Sequence, residues 1–265
     1  MEESESTHIQ YKIISLEYSG STILDIALSN ILPNTYSLGE VERTIESEST
    51  TNKNYFCSCG NKQCNFWLPY TNSYINYIRY IRRKFSIIDS SKTRSSLIRT
   101  SDEKTIIIFL YRNSTDWTSS VIKRLNKLEV NPFGSINPSK YIISFLRIEI
   151  LRRLILPIPF EWLFRNIHLL WISKKVASER SSKLYLLPFS DFLEEFDNTK
   201  LYSHNAHIKR GNRTHIGNTH YIRTPKKQKY QLLLIFDLIF EFFFYTQNIE
   251  RLRSLRSLLN PPPER

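Results

Sequence analysis

The chain has 265 residues, of which 41% are hydrophobic and 13% aromatic, and it carries a formal net charge of +12. These proportions supply enough apolar side chains for a sizeable core and exclude a compositionally disordered chain. The basic balance suits a polyanionic partner, such as a nucleotide, a nucleic acid, a sulfated or phosphorylated substrate, or an anionic membrane, without choosing among them.

The N-terminal residues and the most apolar stretch of the chain indicate its targeting and domain organisation. Residues 1–10 are acidic and polar, unlike a secretory signal, so we expect a flexible tail followed by a single domain over 11–265 in a cytoplasmic protein. The most apolar stretch, 232–245, is interrupted by Asp237 and Glu241, which share a helix face. It predicts a buried amphipathic helix, not a transmembrane segment, with contact to a membrane surface as the alternative.

The first apolar run leads into a turn of small residues. Residues 11–16 predict a buried strand, and residues 21–31 have the apolar spacing of a helix. Between them, Ser-Gly-Ser-Thr at 19–22 combines hydroxyl groups with the backbone N–H groups of a helix start, which suits an anion. The same residues also suit an ordinary N-cap. The lysine of a Walker A loop is absent, which disfavours an ordinary ATPase or GTPase.

The rest of the chain alternates between predicted strands and helices. Strands are predicted at 87–89, 105–111 and 184–187, helices at 74–85, 117–128, 141–155, 162–175, 191–196 and within 232–259, and a polar loop at 44–54. This alternation predicts an α/β fold with a parallel sheet flanked by helices. Ligands of such sheets bind at the carboxyl ends of the strands, where the turns after Ile14, Asp89 and Tyr111 would meet.

Several single residues are candidates for chemistry. Arg112 directly follows the strand at 105–111, and Ser120 lies in the predicted helix behind it, so the two could clamp a phosphate. Glu40 could act as a general base near an anion site. An ordinary arginine at a strand end and an ordinary surface glutamate remain the alternatives for these two residues.

Three cysteines, Cys57, Cys59 and Cys64, lie close together in the sequence, and we expect them to be reduced. A tetrahedral zinc site usually needs four ligands. His204 or His207 could supply the fourth, but nothing in the sequence links either residue to the cysteines. A reduced packing or turn element is therefore favoured over a structural zinc site.

Six short blocks in a fixed order carry a family resemblance. They are Ser19-Gly20-Ser21-Thr22-Ile23-Leu24-Asp25, Ser37-Leu38-Gly39-Glu40, Cys57-Ser58-Cys59-Gly60 with Cys64-Asn65-Phe66-Trp67, Asp89-Ser90-Ser91-Lys92, Arg112 with Ser120, and His207 with Gly211-Asn212-Arg213. In this order they resemble the sulfotransferase family, in the bacterial-type branch similar to tyrosylprotein sulfotransferases. The resemblance implies a P-loop NTPase-like parallel sheet and transfer of a sulfuryl group from 3′-phosphoadenosine 5′-phosphosulfate (PAPS) to an acceptor hydroxyl or amine.

The resemblance also implies a role for each residue. The expected nucleotide contacts are Ser19, Gly20, Ser21 and Thr22 to the 5′-phosphosulfate, Arg112 and Ser120 to the 3′-phosphate, and Asn212 and Arg213 from the other side. Glu40 would be the catalytic base, and Lys92 would stabilise charge on the sulfonate or the bridging oxygen. No metal ligand is implied. The acceptor would be a carbohydrate, a lipid, a peptide or a small molecule.

Two alternatives remain open. Tyr18 stands where the family usually has Arg or Lys, so a catalytically weak or inactive nucleotide-binding member is the first. A basic nucleic-acid-binding protein is the second, suggested by the charge of +12 and by interleaved Tyr and Arg residues. The positive charges are dispersed and no nucleic-acid motif appears, so we expect no nucleic-acid partner.

Overall fold

The computed structural model describes much of the chain, and its described residues form an α/β fold. They are 8–17, 19–51, 57, 59, 64–67, 73–92, 94–121, 157–195, 207–208, 234–252 and 255–258. The predicted helix at 141–155 lies outside these ranges, as do Tyr18, Asn212 and Arg213.

A parallel sheet forms the centre of the fold, as predicted. Its described strands are β1 (Gln10–Ile14), β2 (Thr35–Gly39), β3 (Ser86–Asp89), β4 (Thr105–Tyr111), β5 (Lys183–Pro188) and β6 (Glu250–Arg251). They lie in the order β2-β3-β1-β4-β5-β6, and every neighbouring pair is parallel. The carboxyl ends of all six strands therefore share one edge.

The described helices connect and follow these strands. They are α1 (Ser21–Ile31), α2 (Val41–Thr51), α3 (Tyr74–Arg82), α4 (Arg94–Thr100), α5 (114–121), α6 (Pro157–Arg180), α7 (Phe189–Glu195) and α8 (Leu234–Thr246), with a 3-10 helix at Leu255–Leu258. None of them combines the length and the apolarity needed to cross a membrane.

Helices cover both faces of the sheet because its strands are apolar on both sides. All seven residues of β4 are buried, as expected of a central parallel strand. On one face, Ile108 packs with α1, α7 and the 3-10 helix. On the other, Ile87 and Leu38 pack with α2 and α3, whose Ile78 is buried there. This arrangement confirms the predicted parallel sheet flanked by helices.

The predicted boundaries match best where the apolar pattern is strongest. The helix at 21–31 and the strand at 105–111 have the predicted bounds. The predicted loop at 44–54 is wrong over 44–51, because α2 continues through Thr51, and residues 52–54 lie outside the described ranges. Val41 and Ile45, four residues apart, are both buried, so packing holds this polar segment as a helix.

Two other predictions need correction near the C-terminal half. The helix predicted at 162–175 is longer and runs over Pro157–Arg180 as α6, because proline suits the first turn of a helix, where its missing N–H has no partner to lose. The strand β6 lies inside 232–259, for which only helices were predicted. It belongs to the sheet because its backbone pairs with that of β5. Its two side chains are charged and exposed, so the sequence has no apolar pattern there that would predict a strand.

The chain divides into two compact units. The first comprises residues 1–111, 169–222 and 249–265 and contains the whole sheet. The second comprises residues 112–168 and 223–248, including α5 and α8. A single domain over 11–265 stays a prediction.

Candidate functional site

The turn after β1 is built around Gly20, which precedes α1 in the left-handed conformation with φ of 90°. Its carbonyl accepts hydrogen bonds from the N–H groups of Ile23 at 3.0 Å and Leu24 at 3.1 Å. A Cβ at Gly20 would collide with the ring of Phe189, so both the backbone angle and the space require glycine. The turn therefore has the tight backbone that the sequence predicted.

Nothing in the described part of the chain caps α1 through a side chain. The first N–H groups of an α-helix have no partners within the helix, and the helix dipole adds positive potential at the same end. Three residues with buried hydroxyl side chains, Ser19, Ser21 and Thr22, surround these groups. The turn has donors of the kind that bind a phosphate or sulfate group.

Sheet topology puts this turn where ligands of open α/β sheets bind. In the strand order, β2 lies towards one edge of the sheet from the neighbours β1 and β4, and β5 lies towards the opposite edge. The connection that leaves β1 therefore runs in the opposite direction from the connection that leaves β4. The carboxyl ends of β1 and β4, which are neighbours, therefore flank a topological switch point. Residues 19–22 follow β1 at this point.

The two predicted catalytic residues are in contact. Glu40 directly follows β2, and Lys92 follows β3, the neighbouring strand. The Nζ atom of Lys92 lies 3.2 Å from Oε1 of Glu40, and both side chains are largely buried, with 22% and 11% exposed. Nη1 of the more exposed Arg43 lies 3.4 Å from Oε2 of the same carboxylate. A carboxylate held between cations is thus present at the carboxyl edge of the sheet.

Ser90 connects this pair to α1. Its N–H donates to the carbonyl of Gly39, the residue before Glu40, at 2.9 Å. Its hydroxyl donates to Oδ2 of Asp25 in α1, also at 2.9 Å. Asp25 is fully buried, and burial raises the pKa of its carboxyl to about 7 although Ser90 favours the charged form. The ends of β2 and β3 and the first turns of α1 are therefore linked through buried hydrogen bonds.

A buried lysine network supports the loop that carries Lys92. The ammonium of Lys12 in β1 donates to three acceptors, Asp89 Oδ2 at 3.2 Å, Tyr74 Oη at 2.9 Å and the Ser96 carbonyl at 2.9 Å. Burial lowers the pKa of Lys12, while Asp89 opposes that shift. Oδ1 of Asp89 accepts from the N–H of Ser91 at 2.9 Å, immediately before Lys92.

The sequence analysis missed this network. Its signal was present, since Lys12 interrupts a run otherwise predicted to be a buried strand. A lysine in such a place is rarely buried without a paired acid. Asp89, at the end of the neighbouring strand β3, was the available partner.

Arg112 and Ser120 are also in contact. Nη1 of Arg112 donates to Oγ of Ser120 at 3.0 Å, and Ser120 Oγ donates to the carbonyl of Asp116 at 2.9 Å. The Arg112 carbonyl accepts from Nε1 of Trp162 at 2.9 Å, which fixes the backbone at this point. Burial lowers the pKa of the guanidinium, which nevertheless keeps its charge at neutral pH.

The cysteine cluster acquires a fourth member that the sequence did not link to it. The ligand atoms of Cys57, Cys59, Cys64 and His207 all lie within 4.8 Å of one another. Nδ1 of His207 is 3.2 Å from Sγ of Cys64 and 3.8 Å from Sγ of Cys57. As free thiols, Cys57 and Cys64 interact: their hydrogen bond, with burial, raises the pKa of Cys57 to about 11, and the same bond lowers the pKa of Cys64.

Comparisons with known proteins return no relative: no family model, no curated protein and no solved structure matches the chain. The resemblance to sulfotransferases therefore rests on the residues of this chain alone.

Proposed function

We propose that this protein is a sulfotransferase that moves a sulfuryl group from PAPS to an acceptor hydroxyl or amine. The observation that carries the proposal is the contact between Glu40 and Lys92, 3.2 Å long, at the ends of neighbouring strands. Ser90 links this pair to the helix that follows the turn at 19–22. A base, a cation and an anion-binding turn at one sheet edge are the groups that sulfuryl transfer needs.

The donor set of the turn fits the phosphosulfate end of PAPS. Gly20 gives the turn its tight left-handed backbone, and the hydroxyls of Ser21 and Thr22 add donors to the N–H groups of α1. The strand order supports a P-loop NTPase-like sheet, as does the helix after β1 at the switch point, which none of the described side chains caps. Arg112 and Ser120, by the family resemblance, would hold the 3′-phosphate.

In the proposed mechanism, Glu40 accepts the proton of the acceptor hydroxyl as its oxygen attacks sulfur. PAPS, when bound, would supply the sulfuryl group, and the bond between sulfur and its 5′-phosphate oxygen would break to release adenosine 3′,5′-bisphosphate. Lys92 stabilises the negative charge that spreads over the sulfonate oxygens, and the α1 N–H groups act on the same charge. Lys92 also holds the Glu40 carboxylate in place before the acceptor arrives, since the two are paired. The protein's contribution is thus positioning and electrostatic stabilisation.

Binding of the nucleotide product tests the first half of the proposal. We expect adenosine 3′,5′-bisphosphate to bind in isothermal titration calorimetry and Arg112→Ala to weaken that binding by about tenfold or more, since a charge-assisted contact is lost. Adenosine 5′-monophosphate, which lacks the 3′-phosphate, serves as the matched ligand, and its weaker binding should not change in Arg112→Ala. Failure of the wild-type chain to bind the bisphosphate would rule out both the enzyme and an inactive nucleotide-binding relative.

Transfer of labelled sulfate from PAPS to a panel of hydroxyl and amine acceptors tests the second half. Glu40→Gln should lower turnover by about 10²- to 10⁴-fold, the usual contribution of a general base, and leave bisphosphate binding intact. Glu103→Gln, an exposed glutamate before β4, is the control and should retain activity. Binding without transfer to any acceptor would favour the inactive member that Tyr18 suggests.

A further inference from the structure

The thiol and imidazole groups beside β2 have the composition of a closed metal site. We propose that Cys57, Cys59, Cys64 and His207 bind a structural zinc ion. Three thiolates and one imidazole form one of the standard ligand sets of structural zinc, and soft thiolate ligands favour zinc over magnesium or calcium. Four protein ligands complete the tetrahedron, so no position is left for a substrate.

The distances agree with this assignment. Zinc–sulfur bonds of about 2.3 Å and zinc–nitrogen bonds of about 2.0–2.1 Å place tetrahedral ligand atoms roughly 3.5–3.8 Å apart. Nδ1 of His207 lies 3.8 Å from Sγ of Cys57 and 3.2 Å from Sγ of Cys64, and all four ligand atoms lie within 4.8 Å. Closing separations of up to 4.8 Å to this spacing takes a change of about 1 Å, shared between the side chains.

Surrounding contacts orient the imidazole independently of any metal. The N–H of His207 donates to the carbonyl of Ser37 in β2 at 2.7 Å, and its own carbonyl accepts from Nε1 of Trp67 at 2.8 Å. Its ring stacks on Phe66, with centroids 4.0 Å apart and an angle of 27° between the planes. Cys64 is held in a turn by the hydrogen bond from Trp67 N–H to its carbonyl, 2.8 Å long. Such outer contacts are typical of built metal sites.

The proposed site joins two segments that are 143 residues apart in the sequence, those of Cys64 and His207. The N–H of His207 bonds to Ser37 of the edge strand β2, three residues before Glu40, and Cys57 and Cys64 belong to the same buried cluster as Leu38 of β2. Ile208, the neighbour of His207, is buried against Ile26 of α1. A metal that closes such a long loop stabilises the folded state by restricting the unfolded chain. Its role is therefore to hold β2, and with it Glu40, in place.

Metal analysis of the purified chain tests the proposal directly. We expect about one zinc ion per chain by inductively coupled plasma mass spectrometry after exhaustive dialysis, in keeping with a four-ligand structural site. X-ray absorption at the zinc edge should show three sulfur ligands and one nitrogen ligand. A metal-free chain with reduced thiols, or a first shell of oxygen and nitrogen alone, would overturn the proposal.

Variants identify the ligands. Cys59→Ser is the most informative, because Cys59 is exposed and its loss removes a ligand without opening a hole in the core. We expect zinc content to fall to near zero in Cys59→Ser and in His207→Asn, while His204→Asn, the matched histidine control, keeps its zinc. Retention of zinc in Cys59→Ser, or loss of it in His204→Asn, would contradict the ligand assignment.

Stability provides a readout separate from transferase activity. Stripping zinc from the wild-type chain with a chelator should lower its melting temperature, and adding zinc back should restore it. Cys59→Ser should melt at the lower temperature with or without added zinc. An unchanged melting temperature on removal of bound zinc would exclude a structural role, and neither result depends on whether PAPS is the substrate.

Discussion

At the scale of single residues, buried charges decide most of what is specific to this protein. Lys12, Asp25 and Asp89 are all fully buried, and each has a hydrogen-bond partner at the carboxyl half of the sheet. Burying such groups is costly unless they are paired, so their placement restricts how the loops after β1 and β3 can fold. The position of Lys92 follows from these groups, because Asp89 holds the loop that contains it.

Asp25 gives the stability of this protein a predictable dependence on pH. Burial raises the pKa of its carboxyl from 3.8 to about 7. Between these pH values the folded state holds a proton that the unfolded chain has lost, so the wild-type chain loses stability as the pH rises. The loss is at most about 1.4 kcal/mol per pH unit and stops above the folded pKa.

Asp25→Asn should remove this dependence while keeping an acceptor for the Ser90 hydroxyl. We expect the free energy of unfolding of Asp25→Asn, measured by urea denaturation and taken relative to wild type, to increase from pH 4 to pH 7 and then level off. Taking the difference between the two proteins cancels the titration of every other group. Parallel stability curves across this range would contradict the raised pKa.

At the scale of elements, α8 shows that the apolar side chains of a helix need not all be buried. Almost every residue from Leu234 to Tyr245 is apolar, and the stretch was predicted to form a buried amphipathic helix. Phe240 is fully buried and Phe244 nearly so, but Leu238, Phe242 and Tyr245 are 69%, 73% and 81% exposed. A helix buries only the stripe that faces its neighbours, so this prediction holds for one side of α8 and is wrong for the other.

Phe240 and Phe242 therefore form a matched pair on one helix. Phe240→Ala should lower the free energy of unfolding by about 3–5 kcal/mol, because it leaves a cavity beside Trp162, whose ring centroid lies 5.4 Å away. Phe242→Ala should change it by no more than about 0.5 kcal/mol, as is usual for exposed side chains. Urea denaturation followed by tryptophan fluorescence measures both, and comparable losses in the two variants would refute the assigned orientation of α8.

At the scale of the whole molecule, pairing and burial differ between the centre and the edge of the sheet. β4 pairs with β1 on one side and with β5 on the other, and all its residues are buried. β6 lies at an edge of the same sheet, and both of its residues are exposed. Amides that open only with global unfolding are found in central, fully buried elements, and those at exposed edges open locally.

Hydrogen exchange followed by mass spectrometry tests this order. We expect peptides covering 105–111 to be among the slowest to exchange and peptides covering 250–251 to exchange early, at a pH where intrinsic rates are comparable. The contrast depends only on pairing and burial within the sheet. Faster exchange in β4 than in β6 would mean that the sheet opens from its centre, against the topology described above.

Much of the fold was predictable because its signals are local. The apolar run of β4 and the helical spacing of apolar residues in α1 each lie within a single segment of the sequence. Both elements have the predicted bounds in the structure. The helix over 44–51 was not predictable, since the sequence of α2 has two apolar residues, Val41 and Ile45, among polar ones, which resembles a polar loop. Likewise β6 has no apolar pattern and exists through its pairing with β5.

The sequence by itself determined the class of fold and the turn at Gly20, because residue type and spacing specify these features, whereas the candidates Glu40 and Lys92 came from the resemblance to a known family. Only the tertiary structure decided which side chains come close together: Glu40 with Lys92, Lys12 with Asp89, and His207 with the cysteines. Each pair joins segments brought together by strand pairing or by packing on an edge strand. Such contacts depend on register and topology, which no local pattern of residues encodes.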